Sequence, residues 1–333
     1  MSISKKTINR LFLLMIVIYI ILLLIISSIA CYYAYQEKKE SIISTLEQSM
    51  SSIDQEYSNI LQNFWQIYMP IFEGETQTHD VLKNYFAFSD VEDLNPLERS
   101  TLKNTIQQMK IRDSRIEWIG FYSNHRDTNY ALFNDTSGIR AMNSSFPYLD
   151  ELRQDISKMR VLSAREITND AGTTYTFAIC GNTPQGMGDG KIIVGYSLNH
   201  FEQESHPSIS GLTSIRYTLT SKDSLIYDSG HVYDPSSTYF PDAEENTTVD
   251  FSGETRYIKS MLTGNNSTFL TYSMSKSELI RAASRDTPFI LCITVLFTIF
   301  SIVVHSFMDN SVKKELSIIR NGLSAMAGND MQY

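Results

Sequence analysis

Arginine and tyrosine at the edges of short β-rich runs are the residue types best suited here to hold a small polar solute. Tyr122, Arg126, Tyr130, Tyr175 and Tyr196 are of this kind. An arginine fork recognises a carboxylate in two places at once, and phenols hydrogen-bond and stack on carboxylate- or sugar-bearing ligands. These five are the candidate ligand-binding residues. Chemistry that makes or breaks bonds has no comparable support. The histidines, at 79, 125, 200, 206, 231 and 305, show no metal-ligand spacing, so no metal is expected. There is no nucleophile constellation and no convincing carboxylate pair, so no catalytic residue and no cofactor are assigned. The glycines of Asn-Thr-Pro-Gln-Gly-Met-Gly-Asp-Gly at 182–190 follow a strand signal but lead into another strand. A phosphate site needs a helix N-terminus there, so the segment is expected to be a hairpin loop.

Composition narrows the class further. The net charge is −9, which leaves no basic face for phosphates and excludes nucleic acid as a partner. Of three cysteines, Cys31 and Cys292 lie in apolar runs and only Cys180 is left for the middle of the chain. That middle must therefore be held by its core, without an internal disulfide.

The elements that would position the candidates are bracketed by two uncharged segments. Residues 11–34 and 287–308 are each long enough to span a hydrocarbon core of about 30 Å. Pro288 is placed to open the second helix. Lys5, Lys6 and Arg10 precede the first span, and Lys313, Lys314 and Arg320 follow the second. The cation bias puts both termini in the cytoplasm and residues 35–286 outside, in a multi-pass cell-membrane protein.

From Ile43, apolar residues recur at Leu46, Met50, Ile53, Tyr57, Ile60, Phe64, Ile67 and Ile71, a sustained heptad seam. It predicts a stalk helix over 35–78 that packs on the chain's own domain far from the membrane and pairs with a second copy close to it. Helical patterning continues over 79–112, with a helix start at Asn95-Pro96. Strand signals follow at 116–122, 130–133, 160–166, 174–180 and 191–198. After a break at 205–213 come strands at 214–220, 225–228, 255–261 and 267–275, with a polar loop over 234–250. A short helix over 276–285 leads to the second span. The expected class is α+β: antiparallel sheets with helices set to one side, in modules 79–204 and 205–286.

The tail over 309–333 carries Val312, Leu316, Ile319, Leu323 and Met326 on one face and ends at Gly328-Asn329-Asp330. One such amphipathic helix is unstable alone and needs partners.

This layout resembles the input half of a bacterial transmembrane receptor with a double Cache (PAS-like) sensor and a HAMP relay. Lys-Lys-Glu-Leu-Ser-Ile-Ile-Arg-Asn-Gly-Leu-Ser-Ala-Met-Ala-Gly-Asn-Asp at 313–330 is similar to the first HAMP helix of sensor histidine kinases of the YesM type, although the usual proline at its start is replaced by Lys313-Lys314-Glu315. Arg-Tyr-Thr-Leu-Thr-Ser-Lys-Asp-Ser-Leu-Ile-Tyr-Asp-Ser-Gly at 216–230 resembles the strand–turn–strand that opens a membrane-proximal Cache module. The resemblance implies residues 1–10 as a cytoplasmic N-terminus and 309–333 as a partial HAMP helix. Val312, Leu316, Ile319, Leu323 and Met326 would be its bundle core and Gly328 its terminator. It implies a small extracellular solute as ligand, homodimerisation through stalk and HAMP helices, and a lipid bilayer as surroundings. A response regulator would be reached only through a kinase region expected beyond residue 333. The same outer layout also serves chemotaxis receptors and cyclic-dinucleotide enzymes, and a membrane-anchored binding module is a third reading.

Overall fold

The computed structural model describes residues 5–72, 77–87, 94–133, 138–154, 159–169, 172–199, 201, 209, 211–221, 224–251, 253–263 and 268–329. The chain divides into two compact units, residues 44–278 and residues 1–43 with 279–333. The class is α+β, as expected.

Helix α1 (Lys5–Phe72) is uninterrupted and ends before residue 78, and α2 (Gln77–Ala87) is a separate element. Within the 44–278 unit the α1 seam is buried: Leu46, Ile53, Tyr57 and Ile60 have no exposure, and Met50 and Phe64 have 1%. Each such side chain contributes about 1.5–3 kcal/mol on leaving water. The seam is thus consumed by the chain's own sheets from Leu46 onward. Distally the buried positions are Leu61, Phe64 and Tyr68; the side chains of Ile67 and Ile71 lie outside the described residues.

Asn95 caps α3 (Pro96–Arg112) in a full capping box. Its side chain accepts from the Leu97 and Glu98 N–H groups, and Glu98 accepts from the Asn95 N–H at 2.8 Å. Proline at the first helical position completes the start that Asn95-Pro96 signals.

The first sheet, called distal because its module, 79–204, is the one expected to lie farther from the membrane, with 205–286 the proximal one, is antiparallel throughout, in the order β3-β2-β1-β6-β5-β4. Its strands are β1 (Ile116–Ser123), β2 (Tyr130–Phe133), β3 (Ile139–Ala141), β4 (Arg160–Asn169), β5 (Gly172–Asn182) and β6 (Gly190–Ser197), with α4 (Leu149–Arg153) between β3 and β4. The glycine-rich segment is the β5–β6 hairpin loop, as expected. β3 and α4, three and five residues long, carry no pattern long enough to announce them. Of the expected break at 205–213, residues 209 and 211–213 are described and belong to no helix or strand, and the other five lie outside the described residues.

The proximal sheet has the order β8-β7-β11-β10-β9. It consists of β7 (Arg216–Ser221), β8 (Ser224–Asp228), β9 (Glu245–Phe251), β10 (Glu254–Leu262) and β11 (Phe269–Ser275). The expected loop over 234–250 is corrected: its last third, from Glu245, is strand β9, paired with β10 from Phe251↔Glu254 to Glu245↔Ser260. β9 is an edge strand whose residues alternate between exposed and half-buried, so its sequence Glu-Asn-Thr-Thr-Val-Asp-Phe is polar and reads as loop. Helix α5 (Lys276–Ala283) follows the sheet.

In the other unit, helix α6 (Thr287–Asn329) continues through the expected span and tail as one element. Among the described residues, two helices are long and apolar enough to cross a membrane, within Leu13–Gln66 and Lys276–Leu323. Most of their apolar side chains are exposed, Leu13 by 67% and Phe289 by 70%, while Ile16, Ile20 and Leu23 are half-buried on one stripe. Inside this unit Thr294 Oγ1 donates to Ser27 Oγ at 2.8 Å, a polar contact between α1 and α6. In the tail, Val312, Ile319 and Leu323 are exposed. The side chains of Leu316, Met326 and Gly328 lie outside the described residues, and the helix runs on through Gly328 to Asn329.

Candidate functional site

The period of two along a strand gives each sheet two faces, and α1 takes one of them in each module. In the distal sheet Phe177 and Tyr196 face α1: the Phe177 ring lies 6.2 Å from Tyr57 and stacks on Tyr196 at 5.6 Å. The opposite face carries Trp118 and Tyr122 of β1, Phe133 of β2, Ala178 and Cys180 of β5 and Ile193 of β6, all in one buried cluster. This outer face, with the 142–154 segment laid over it, is the candidate site.

Small residues make room for the large one. Gly120 and Gly195 sit beside Trp118 on this face, and a Cβ at Gly195 would fall within the indole. Trp118 is 1% exposed, stacks edge-on to Phe146 at 5.3 Å and donates from Nε1 to Thr176 Oγ1 at 3.1 Å. Tyr148 fastens the covering segment to two strands, donating to Thr176 O at 2.6 Å and Ser163 O at 3.1 Å. Burial pushes its phenol far above the ordinary range, and the Thr176 and Arg165 contacts oppose this only in part. Burial likewise pushes the Cys180 thiol up to about 12, so it is an inert apolar group and not a nucleophile.

Two cations stand at the rim. Lys191 is 5% exposed, with Nζ 5.6 Å from the Tyr122 ring centre. It donates to Leu152 O at 2.5 Å and to Gln154 O. Arg165 contacts Pro147 O and Glu151 and lies 5.2 Å over the Tyr148 ring. Glu151 Oε2 is buried without a partner among the described residues. Aromatic rings with one buried and one partly exposed cation at the edge can bind and orient a small polar molecule. The described residues include no cluster able to hold a metal ion.

The five sequence candidates do not converge. Tyr122 lies on the outer face. Arg126 sits at the sheet's edge, 4.2 Å over the Tyr85 ring, with Nε donating to Tyr85 O at 2.8 Å, and so fastens α2. Tyr130 is opposite Phe121 in register and lies under Arg99 at 5.9 Å. Tyr175 stacks on Tyr233 at 5.4 Å and lies 5.1 Å from His231, both of the proximal module. Tyr196 faces α1 with its phenol buried and unpartnered. Burial, with the nearby Asp113 charge, drives its pKa far up. The sequence reading missed Trp118, Tyr148, Arg165 and Lys191. One signal was there: Lys191 is the sole charge in the apolar strand Gly-Lys-Ile-Ile-Val-Gly-Tyr-Ser.

No family model and no curated protein matches the chain. Solved structures do. The extracellular domain of the histidine kinase vpHK1S-Z8 aligns over 78% of this chain and 99% of its own, with 14% identity and a TM-score of 0.45. The periplasmic sensory domain of the Campylobacter jejuni chemoreceptor Tlp1 aligns over 74% and 98%, with 10% identity and a TM-score of 0.48. The ligand-binding domain of C. jejuni Tlp3, solved with 4-methylisoleucine, aligns over 74% and 94%, with 8% identity and a TM-score of 0.46.

Proposed function

We propose that the chain is the input half of a bacterial transmembrane signal receptor. Residues 44–278 stand outside the cell, the helices within 11–34 and 287–308 cross the membrane, and both termini are cytoplasmic. A small extracellular solute binds the outer face of the distal sheet. The output is a histidine kinase of a two-component system, reached through a HAMP relay that begins in the tail of α6.

One observation carries this proposal: a single helix segment holds both sheets. In the distal module Arg115 Nη1 bonds Glu56 of α1 at 3.0 Å. In the proximal module Tyr217 OH donates to Leu46 O at 3.4 Å, and Lys259 pairs with Glu47. A solute that favours one packing of the distal sheet on α1 therefore acts on the element that also carries the proximal sheet. It shifts the population only by its differential affinity for the two arrangements.

The test is a fluorescence titration of the full chain in nanodiscs, in a Trp65→Phe background that leaves Trp118 as the reporter. Amino acids, small organic acids and sugars are added in turn. A saturable change in Trp118 emission with one of these classes is expected; an emission that none of them moves contradicts the proposal.

A further inference from the structure

The proximal sheet treats its outer face differently from the distal one. Tyr217, Tyr257, Lys259 and Tyr272 lie on the α1 side. Their strand neighbours Arg216, Thr218, Arg256, Ile258, Thr271 and Ser273 turn to the other side and line a cavity of about 220 Å³. Register places them together, with Ser273 opposite both Arg216 and Ile258. The β8–β9 connection closes the cavity with Val232, Ser237 and Tyr239, and β9 adds Phe251.

The two arginines are not equivalent. Arg216 is committed to structure. It grips Asp228 in two places, Nε to Oδ1 at 2.6 Å and Nη2 to Oδ2 at 2.7 Å, and holds the covering loop through Ser237 O at 2.7 Å and Val232 O at 3.0 Å. Asp228 is fully buried and cancels its charge. Arg256 is not so matched. Its Nη2 donates to Ser214 O at 2.8 Å and its Nη1 reaches the half-exposed Glu254 at 3.3 Å. Its Nε is buried with no acceptor among the described residues. A buried guanidinium N–H without an acceptor is costly, and charge-assisted bonds are the strongest way to satisfy it. Burial, with the neighbouring Arg216, outweighs the opposing charges of Glu254 and Glu278, so its pKa is lowered, and an added anion would raise it.

We infer that the proximal cavity is a second binding site, specific for a small carboxylate solute whose carboxylate is held by Arg256. The hydroxyls of Thr218, Thr271 and Ser273 offer donors and acceptors to the rest of the molecule, and Ile258 and Phe251 cover its apolar part. The volume lies below the usual range for drug-sized ligands, about 300–1,000 Å³, which limits the solute to a few carbon atoms. This site is separate from the distal face and does not depend on that face binding anything.

The experiment is thermal unfolding of the full chain in detergent with sodium acetate as probe, against sodium chloride and sodium sulfate at equal ionic strength. Acetate alone should raise the midpoint, by about 3 °C at roughly tenfold excess over its dissociation constant. The rise should vanish in Arg256→Gln, whatever that variant's own midpoint. If that variant does not fold, Ser273→Leu, which fills the cavity and keeps every charge, should abolish the rise as well. Trp118→Phe, at the distal face, should keep it. Acetate no better than chloride, sulfate equal to acetate, or a rise that survives Arg256→Gln or Ser273→Leu would overturn the inference. Loss of the rise in Trp118→Phe alone would move the site to the distal face, overturning this inference and leaving the proposed function standing.

Discussion

Arg115 and Glu56, 59 residues apart in sequence, meet at 3.0 Å and join the first strand of the distal sheet to α1. The same guanidinium holds Asp113 through two bonds of 2.7 Å, so one side chain ties a turn, a strand and the long helix together. Arg115 is 11% and Asp113 2% exposed, so removing either leaves an uncompensated charge with little access to water. Arg115→Met is expected to lower unfolding stability by about 3 kcal/mol, read by denaturant titration of the full chain. Glu56→Gln, at the more exposed end of the cluster, should cost less.

Two carboxylates make the 44–278 unit acid-sensitive. Burial opposes the charge on Asp113, but bonds from Arg115 and Asn63 and the Arg115 charge outweigh it, so its pKa is lowered. Burial likewise opposes the charge on Glu278, and bonds from Ser214 and Thr213 bring its pKa down to about 2. A depressed folded-state pKa contributes stability that is present above the unfolded value and lost as pH falls through the folded one. The unfolding midpoint should therefore fall as pH drops below about 4.5 toward 2. Asp113→Asn combined with Glu278→Gln should flatten that part of the profile, and a double variant with the wild-type slope would refute the assignment.

Gly195 exists to admit Trp118. Gly195→Ala places a methyl in the volume of the indole and must displace it from Thr176. Overpacking of this kind costs about 1–3 kcal/mol. A lower unfolding midpoint with red-shifted Trp118 emission is expected, again in the Trp65→Phe background.

The parts of the fold legible in the sequence are those whose pattern is long and governed by one partner. The Leu46-to-Phe64 seam, the Asn95 cap and the continuously buried strands around Phe177 and Val194 announce themselves because burial dictates residue type. The seam's partner is not encoded in its spacing: the same heptads suit a second copy and the chain's own sheets, and the sheets hold them. β9 was hidden because an edge strand with a wet face has no reason to be apolar. The site was least legible. Tyr122, Tyr130 and Tyr196 share a sheet and a residue type, yet register and strand parity send Tyr122 to one face and Tyr196 to the other. Arg256 gave no sign, since its character comes from the buried Nε and from Arg216 across the sheet.

The central claim is an outer domain held between two spans with both termini inside, and cysteine labelling in intact cells tests it most directly. Cys31, Cys180 and Cys292 are first replaced by serine or alanine. Gln185→Cys, in the exposed β5–β6 loop, and Lys314→Cys, in the exposed tail of α6, are then made one at a time. A membrane-impermeant maleimide should label the cysteine at 185 in intact cells and the cysteine at 314 only after the membrane is opened. Protection of position 185, or labelling of position 314 from outside, would contradict the account.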